Sequence, residues 1–361
     1  MKASLPPYHF NLGQFIGTWI PHLGWIRSGD FLYERYLKGG LLKTWVGIDV
    51  SKLTLDACWF SEGKPSFLKV ANDAEGFKVL LTNLPAHSHL VMEATGAYYL
   101  RLANFLMTRA IPLSVVNPIS IKRFAQMKLA RAKTDKYDAA IIAQFGASQA
   151  PDAWQVPDAK IMEMQQLCTL EEALIVQKGM LRNQKEAFSQ NPFASKTALK
   201  SIEGLVTRLE KEMAKVRSRL DEITEEHYSR AAEILCSIPG LGIKTAQALI
   251  VATRGFKELV NGRALCSYVG IAPRPYQSGT SVRGRGRITK MGSGSVRKKI
   301  YMCAISAIRT NVACKAFYER LREKGKAAKV ALVAVACKLL RQAAAMIKAD
   351  ELFDEKLALG G

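Results

Sequence analysis

The stretch Thr44-Trp45-Val46-Gly47-Ile48-Asp49-Val50-Ser51-Lys52 constrains this chain more than any other. Val46, Ile48 and Val50 are strand-formers, and Leu53, Leu55 and Ala57 continue the apolar alternation past a polar turn at Ser51-Lys52. A hairpin is therefore predicted, with Gly47 permitting a close backbone approach and Asp49 as the only carboxylate of its first strand. Further strands are predicted near 54–60, 66–71, 89–95 and 112–116. Helices are predicted over about 73–84, 98–109, 119–127 and 134–147. Strands alternating with helices argue for an α/β sheet domain over residues 44–150.

Beyond a Pro-containing connection at 151–160 the pattern changes. Apolar residues recur three or four apart to about Tyr228, and Leu209, Met213, Val216, Leu220 and Ile223 follow a seven-residue rhythm. Residues 151–232 are accordingly expected to form two long helices, as a hairpin or a dimeric coiled coil, broken near Asn191-Pro192-Phe193. Residues 233–361 make a helix-rich, basic C-terminal domain ending in a long helix at about 327–348. The first 43 residues show no clean period. They are expected to be a poorly ordered arm, or upstream sequence from a misplaced start.

Charge narrows the function. The 361-residue chain carries a net +21, and Arg274 to Lys348 holds 18 Lys and Arg against 2 Glu, a net +16. So lopsided a distribution points to a polyanionic partner, nucleic acid above all. Seven Cys without a C-x-x-C pair argue against a disulfide framework or a zinc ribbon and suit a reducing cytoplasm. No stretch approaches the roughly 18 apolar residues of a membrane span, so no membrane partner is expected.

Four carboxylates stand where a sheet would gather them: Asp49 on the first strand, Glu93 at the end of a later one, and Asp135 and Asp138 on one face of a helix start. Carboxylates on strand ends and a helix face suit hard cations. Two such ions about 3.5–4 Å apart can activate a nucleophile and stabilise the leaving oxygen of a phosphodiester. Lys133 and Lys136 flank the helical pair. Pro239-Gly240-Leu241-Gly242-Ile243-Lys244 resembles the hairpin of a helix-hairpin-helix module, which offers backbone N–H groups, and here Lys244, to a phosphate. The Gly/Arg/Ser-rich run from Arg274 to Lys299, whose part from Arg274 to Arg287 reads as a flexible loop, is expected to lie at the nucleic acid and to contribute Arg274, Arg283, Arg285, Arg287, Lys290, Arg297 and Lys298. Spacing leaves Tyr276, Ser278 and Ser281 open as its nucleophile.

Together these segments resemble the transposases of the insertion-sequence-110 family, the DEDD recombinases. The resemblance runs from Thr44 to Lys348 through G-I-D-V-S-K at 47–52, M-E-A-T-G at 92–96, V-N-P at 116–118, K-T-D-K-Y-D-A at 133–139, I-P-G-L-G-I-K-T-A at 238–246 and Y-V-G-I-A-P-R-P-Y-Q-S-G-T-S-V-R-G at 268–284, followed by the basic helices. It implies a RuvC-like RNase H domain whose tetrad Asp49, Glu93, Asp135 and Asp138 binds Mg2+. Ser278 falls in the family's Y-x-S-G segment and takes the role of catalytic serine. The resemblance further implies an RNA-guided DNA recombinase, whose structured bridge RNA pairs with donor and target DNA. Strand exchange would go through a covalent serine–DNA ester, in a homodimer that assembles to a tetramer in the bacterial cytoplasm, at the nucleoid when acting. Two other readings compete: a RuvC-like hydrolytic junction endonuclease, and a catalytically dead nucleic-acid-binding protein.

Overall fold

The computed structural model describes residues 43–94, 96–128, 135–156, 158–257, 261–274 and 287–355. It describes the backbone alone at 17–20, 24–27, 135, 277–278 and 282–283. The chain divides into two compact units, residues 1–156 and 157–361. The expected arm lies outside the described residues except for two strands, β1 (Gly17–Ile20) and β2 (Gly24–Arg27), which pair antiparallel.

In the first unit, β3 (Thr44–Val50), β4 (Thr54–Ser61) and β5 (Lys64–Ala71) form an antiparallel meander. On its other edge β3 pairs in parallel with β6 (Ser88–Glu93), which pairs in parallel with β7 (Leu113–Val116). The spatial order is β5-β4-β3-β6-β7. Among the described residues four helices cover this sheet: α1 (Ala74–Asn83), α2 (Tyr99–Met107), α3 (Pro118–Met127) and α4 (Asp135–Gln149). Side-chain caps start α1 and α3. Asp73 Oδ1 accepts from the Gly76 N–H at 2.8 Å, and Asn117 Oδ1 accepts from the Ile119 N–H at 2.9 Å, with Pro118 in the first turn of α3.

Strand alternation sorts the apolar residues into two cores. Val46, Ile48, Leu55, Leu90 and Met92 meet Phe77, Leu80, Leu102 and Leu106 on one face. On the other, Val91 and the half-buried Trp45 meet Ile121, Phe124, Ile141 and Ile142. A sheet covered on both faces reads as the near-continuous apolar runs of β3 and β6.

The second unit begins with α5 (Ala159–Ser189) and α6 (Lys196–Ser237), a helical hairpin. The ion pairs Lys185–Glu203, Arg182–Glu210, Arg217–Glu171 and Arg219–Glu163 fix its antiparallel sense. The seven-residue rhythm is spent inside the chain: Met213, Val216, Leu220 and Ile223 share a core with Ile161, Met164 and Leu174 of α5. The predicted break falls in the turn between the helices, where Phe193 is 92% exposed. At Tyr228 (φ −138°, ψ 20°) α6 leaves helical geometry, with no Pro or Gly to announce it.

After α6 come α7 (Ile243–Ala252), α8 (Gly262–Val269), α9 (Gly294–Thr310), α10 (Val312–Glu323) and α11 (Ala328–Ala349). Their apolar faces join the core that α5 and α6 begin, so the hairpin and the C-terminal helices form one unit. No apolar stretch of membrane-span length was expected from the sequence, yet among the described residues α11 is long and apolar enough to cross a membrane. Here Val335, Ala336, Leu339, Leu340 and Ala343 fill that core, and charged residues such as Lys338 and Arg341 interrupt the apolar sequence of the helix.

The segment expected to be a loop is instead partly paired. β8 (Pro273–Arg274) pairs with β11 (Arg287–Ile288), and β9 (Gln277–Ser278) with β10 (Val282–Arg283), both antiparallel. Strands of two residues leave no periodic trace in a sequence.

Candidate active site

Trp45, Gly47 and Asp49 alternate with the core residues Val46, Ile48 and Val50, so Asp49 stands on the face that carries the second core. Asp56 lies directly opposite Asp49 on β4. One step beyond the last paired residues, Ile48 and Met92, Glu93 stands level with Asp49 on β6. Three carboxylates thus form a row across the sheet. Asp56, absent from the sequence expectations, is only 6% exposed and is paired with Lys69 Nζ at 3.0 Å, directly across on β5. Two alternating strands predict which face Asp56 occupies, but only the register shows that it adjoins Asp49.

Helix α4 lies on this face because Gly47 has no side chain. A Cβ there would come within 2.2 Å of the Ala139 carbonyl oxygen. Farther along, a Cβ on Gly146 would meet Trp45 and Val91. Passing down α4 from Gly146 to Ala139 therefore moves the close approach from residue 45 to residue 47 of β3. The same progression sets the first turn of α4 over the Asp49 end of the strand. Asp135 and Asp138 lie one turn ahead of Ala139 and Ile142, which are buried against the sheet. Asp138 is half-buried, while the Asp135 side chain lies outside the described residues.

The fold therefore brings Asp49, Glu93 and the start of α4 to one end of one face. Among the described residues no group of three or more His, Cys, Asp or Glu side chains is gathered closely enough to hold a metal ion. The donors are all carboxylates, a set whose chemistry fits a hard divalent cation.

A residue with no sequence signal ties this end together. Asn72, 7% exposed, donates from Nδ2 to the Ser51 carbonyl at 2.8 Å and to the Tyr98 carbonyl at 3.4 Å. It thereby bridges the turn that follows Asp49 and the segment that follows Glu93. Its Oδ1 has no hydrogen-bond partner among the described residues.

In the second unit Ser278 lies on β9 opposite Val282 of β10. Tyr276, Ser281 and Arg285 lie outside the described residues, as does Lys133 in the first unit. Arg283 is described in backbone only. On the β8–β11 pair Arg274 and Arg287 are directly opposed and exposed. Like charges facing each other across strands destabilise the pair, and an anion between them removes the repulsion. Lys290 and Lys298 are exposed, and Lys136 stands 5.8 Å from the Phe67 ring. Two expected phosphate ligands have partners within the unit. Arg297 Nη1 donates to the Val269 carbonyl at 2.8 Å, and Lys244 sits 3.5 Å from buried Glu171, which Arg217 also holds at 2.8 Å.

Residues 46–190 match a family described as transposase, the DEDD type of IS110, and residues 232–319 match the transposase family IS116/IS110/IS902. The pilin gene-inverting protein of Moraxella bovis is 30% identical over 323 residues, covering 87% of this chain and 99% of that protein. Its namesake in Moraxella lacunata is 31% identical over the same span. The chain belongs to the IS110 family of transposases. A shorter similarity, 24% identity over 160 residues, links this IS110-family transposase to the 43.6 kDa protein of insertion element IS110 from Streptomyces coelicolor; it covers 44% of this chain and 39% of that one. The IS110-family transposase is thus an enzyme of DNA recombination with DNA as its substrate, in a family that generally depends on divalent metal.

Proposed function

We propose that this transposase is an RNA-guided DNA recombinase that exchanges strands through a covalent Ser278–DNA ester. The observation that carries the reading is the placement of Asp49 level with Glu93 on the sheet face that α4 covers. The strand order β5-β4-β3-β6-β7, with an acid on the central strand, supports a RuvC-like RNase H fold for residues 44–150. In this reading residues 151–232 are the helical linker and 233–361 the C-terminal transposase domain. Asp49, Glu93, Asp135 and Asp138 would hold Mg2+. When bound, the ion neutralises phosphate charge and makes a nearby hydroxyl a better nucleophile.

The chain's own residues do the rest. Arg274 and Arg287 bind the phosphate between them. Ser278 gives up its hydroxyl proton, and Oγ bonds to phosphorus as the bond to the strand's ribose oxygen breaks. That oxygen takes up a proton. In joining, a hydroxyl of the second strand attacks the same phosphorus, and the serine hydroxyl is restored. One ester replaces another at each step, so rejoining needs no ATP. Resemblance to the family supports the bridge RNA and a homodimer that assembles to a tetramer through α5 and α6. Resemblance to the family also supports a site composed from different subunits, with the acids in residues 1–156 of one and Ser278 in residues 157–361 of another.

That same division favours one second reading, hydrolysis by the acid site alone, which would leave free ends in place of rejoined strands. Replacing Asp49 by Asn tests the site common to both. Strand cleavage should vanish while nucleic-acid affinity is retained, because the change removes a ligand and no phosphate-binding cation. Full cleavage by Asp49→Asn would sink the assignment.

A further inference from the structure

A groove of about 1050 Å³ opens in the second unit between the β8–β11 pair, α10 and α11. Ile271, Ile288, Val330 and Val333 give it an apolar floor, and Val330 is 57% exposed. Arg287, Arg320, Lys326, Lys329, Lys338 and Arg341 stand around it, and among the described residues no carboxylate lines it. Phe317 also lines the groove, with Arg320 at 5.4 Å and Lys338 at 5.5 Å from its ring centre. The basic wall continues along α11: Arg341 also borders a second cavity of about 420 Å³, with Arg263 and Lys348. From Lys329 to Lys348 the helix runs roughly 28 Å at about 1.5 Å per residue.

We propose that this groove binds an unpaired single-stranded segment of nucleic acid and leads it to the β8–β11 pair, which flanks in sequence the strands that carry Ser278. The proposal rests on the recombinase reading and names the form of nucleic acid that the second unit takes. Complementarity commits it to that occupant. Six cations without an acid require a polyanion, and an exposed apolar floor beside an aromatic ring requires that the polyanion also present flat apolar groups. A single strand meets both demands, its phosphates against the cationic rim and its unstacked bases on the floor. A duplex meets only the first: its bases are stacked away, and its charged backbone would be desolvated against Val330 and Val333. Pro273 and Arg287 belong both to the groove and to the β8–β11 pair, so a strand lying there ends beside the opposed pair Arg274 and Arg287.

Binding of fluorescein-labelled 12-mers of oligo(dT) and oligo(rU), and of a 12-base-pair duplex, to the full chain in EDTA tests this without requiring catalysis. Two variants separate floor from rim. Val330→Ser with Val333→Ser leaves the charge unchanged and should weaken single-strand binding severalfold while leaving duplex binding alone. Replacing Arg320, Lys329 and Lys338 by Gln should flatten the salt dependence of single-strand binding by about 2 in the log–log slope, at about 0.7 for each phosphate that is no longer neutralised. Preference for the deoxy or the ribo strand identifies the segment as DNA or guide RNA; either supports the groove. Equal loss of single-strand and duplex affinity in the serine variant, no loss in either variant, or displacement of the strand by polyglutamate as readily as by unlabelled strand overturns it. A groove that fails while Ser278 still forms an ester with DNA refutes this inference alone; a groove that binds while no ester forms refutes the recombinase reading alone.

Discussion

A Cβ atom on Gly47 would stand 2.2 Å from the carbonyl oxygen of Ala139, closer than any packed side chain tolerates. This absent methyl sets the distance between β3 and α4, and so between Asp49 and the helix that starts at Asp135. Gly47→Ala should force α4 off the sheet, lowering stability by about 1–3 kcal/mol, as overpacking does, and abolishing cleavage. Gly179 on α5 is the control: a Cβ there meets nothing within 4 Å, so Gly179→Ala should raise stability by up to about 1 kcal/mol through helix propensity. Thermal denaturation of the two variants reads both effects, and a Gly47→Ala protein as stable and active as the parent would refute the close approach.

Asn72 should matter more for activity than for stability. Asn72→Ala removes the two donors that bridge the Ser51 turn to Tyr98, and so loosens the relation between Asp49 and Glu93. The expected signature is a higher Mg2+ concentration for half-maximal cleavage, with partial recovery at saturating metal. Asn72→Asp should be worse, since it sets a carboxylate against two carbonyl oxygens. If the metal dependence of Asn72→Ala matches the parent's at equal folded fraction, the bridge does not position the acids.

What could be read in the sequence follows the periods that physics imposes. β3, β4 and β6 were legible because a half-buried or buried strand must alternate or run apolar, and α5, α6 and α11 because a helix must repeat its apolar face. Gly47 and Asp49 could be singled out because each breaks an apolar strand. Asp56 could not, since a carboxylate between Leu55 and Ala57 reads as an ordinary outward residue until the register sets it opposite Asp49. The rhythm of Met213, Val216, Leu220 and Ile223 specified a helix partner but not whose; inside this chain α5 supplies it. Asn72 and the groove along α11 depend on packing between distant segments, which no local pattern carries.

At the opposite end of the sheet His89 is buried, with Nε2 bonded to Ser114 Oγ at 2.8 Å and Nδ1 without a partner among the described residues. Burial, and then the charge of Lys43, holds its imidazole below the usual range. The folded chain therefore keeps His89 neutral where the unfolded chain takes up a proton, near pH 6.5 and below. This contribution to stability is present above about pH 6.5 and is lost as the pH falls from there through the lowered folded value. His89→Gln should show a smaller drop in melting temperature between pH 7.5 and pH 5.5 than the parent; an equal drop would mean that His89 does not titrate with unfolding.

The recombinase reading stands or falls on the identity of one atom. Incubating the full chain with Mg2+, its guide RNA and a suicide DNA substrate whose cleaved end diffuses away should trap protein on DNA, and peptide mass spectrometry should place the adduct on Ser278. Ser278→Ala should yield neither adduct nor joined product. An adduct on Tyr276, or free cleaved ends at the parental rate from Ser278→Ala, would contradict the account.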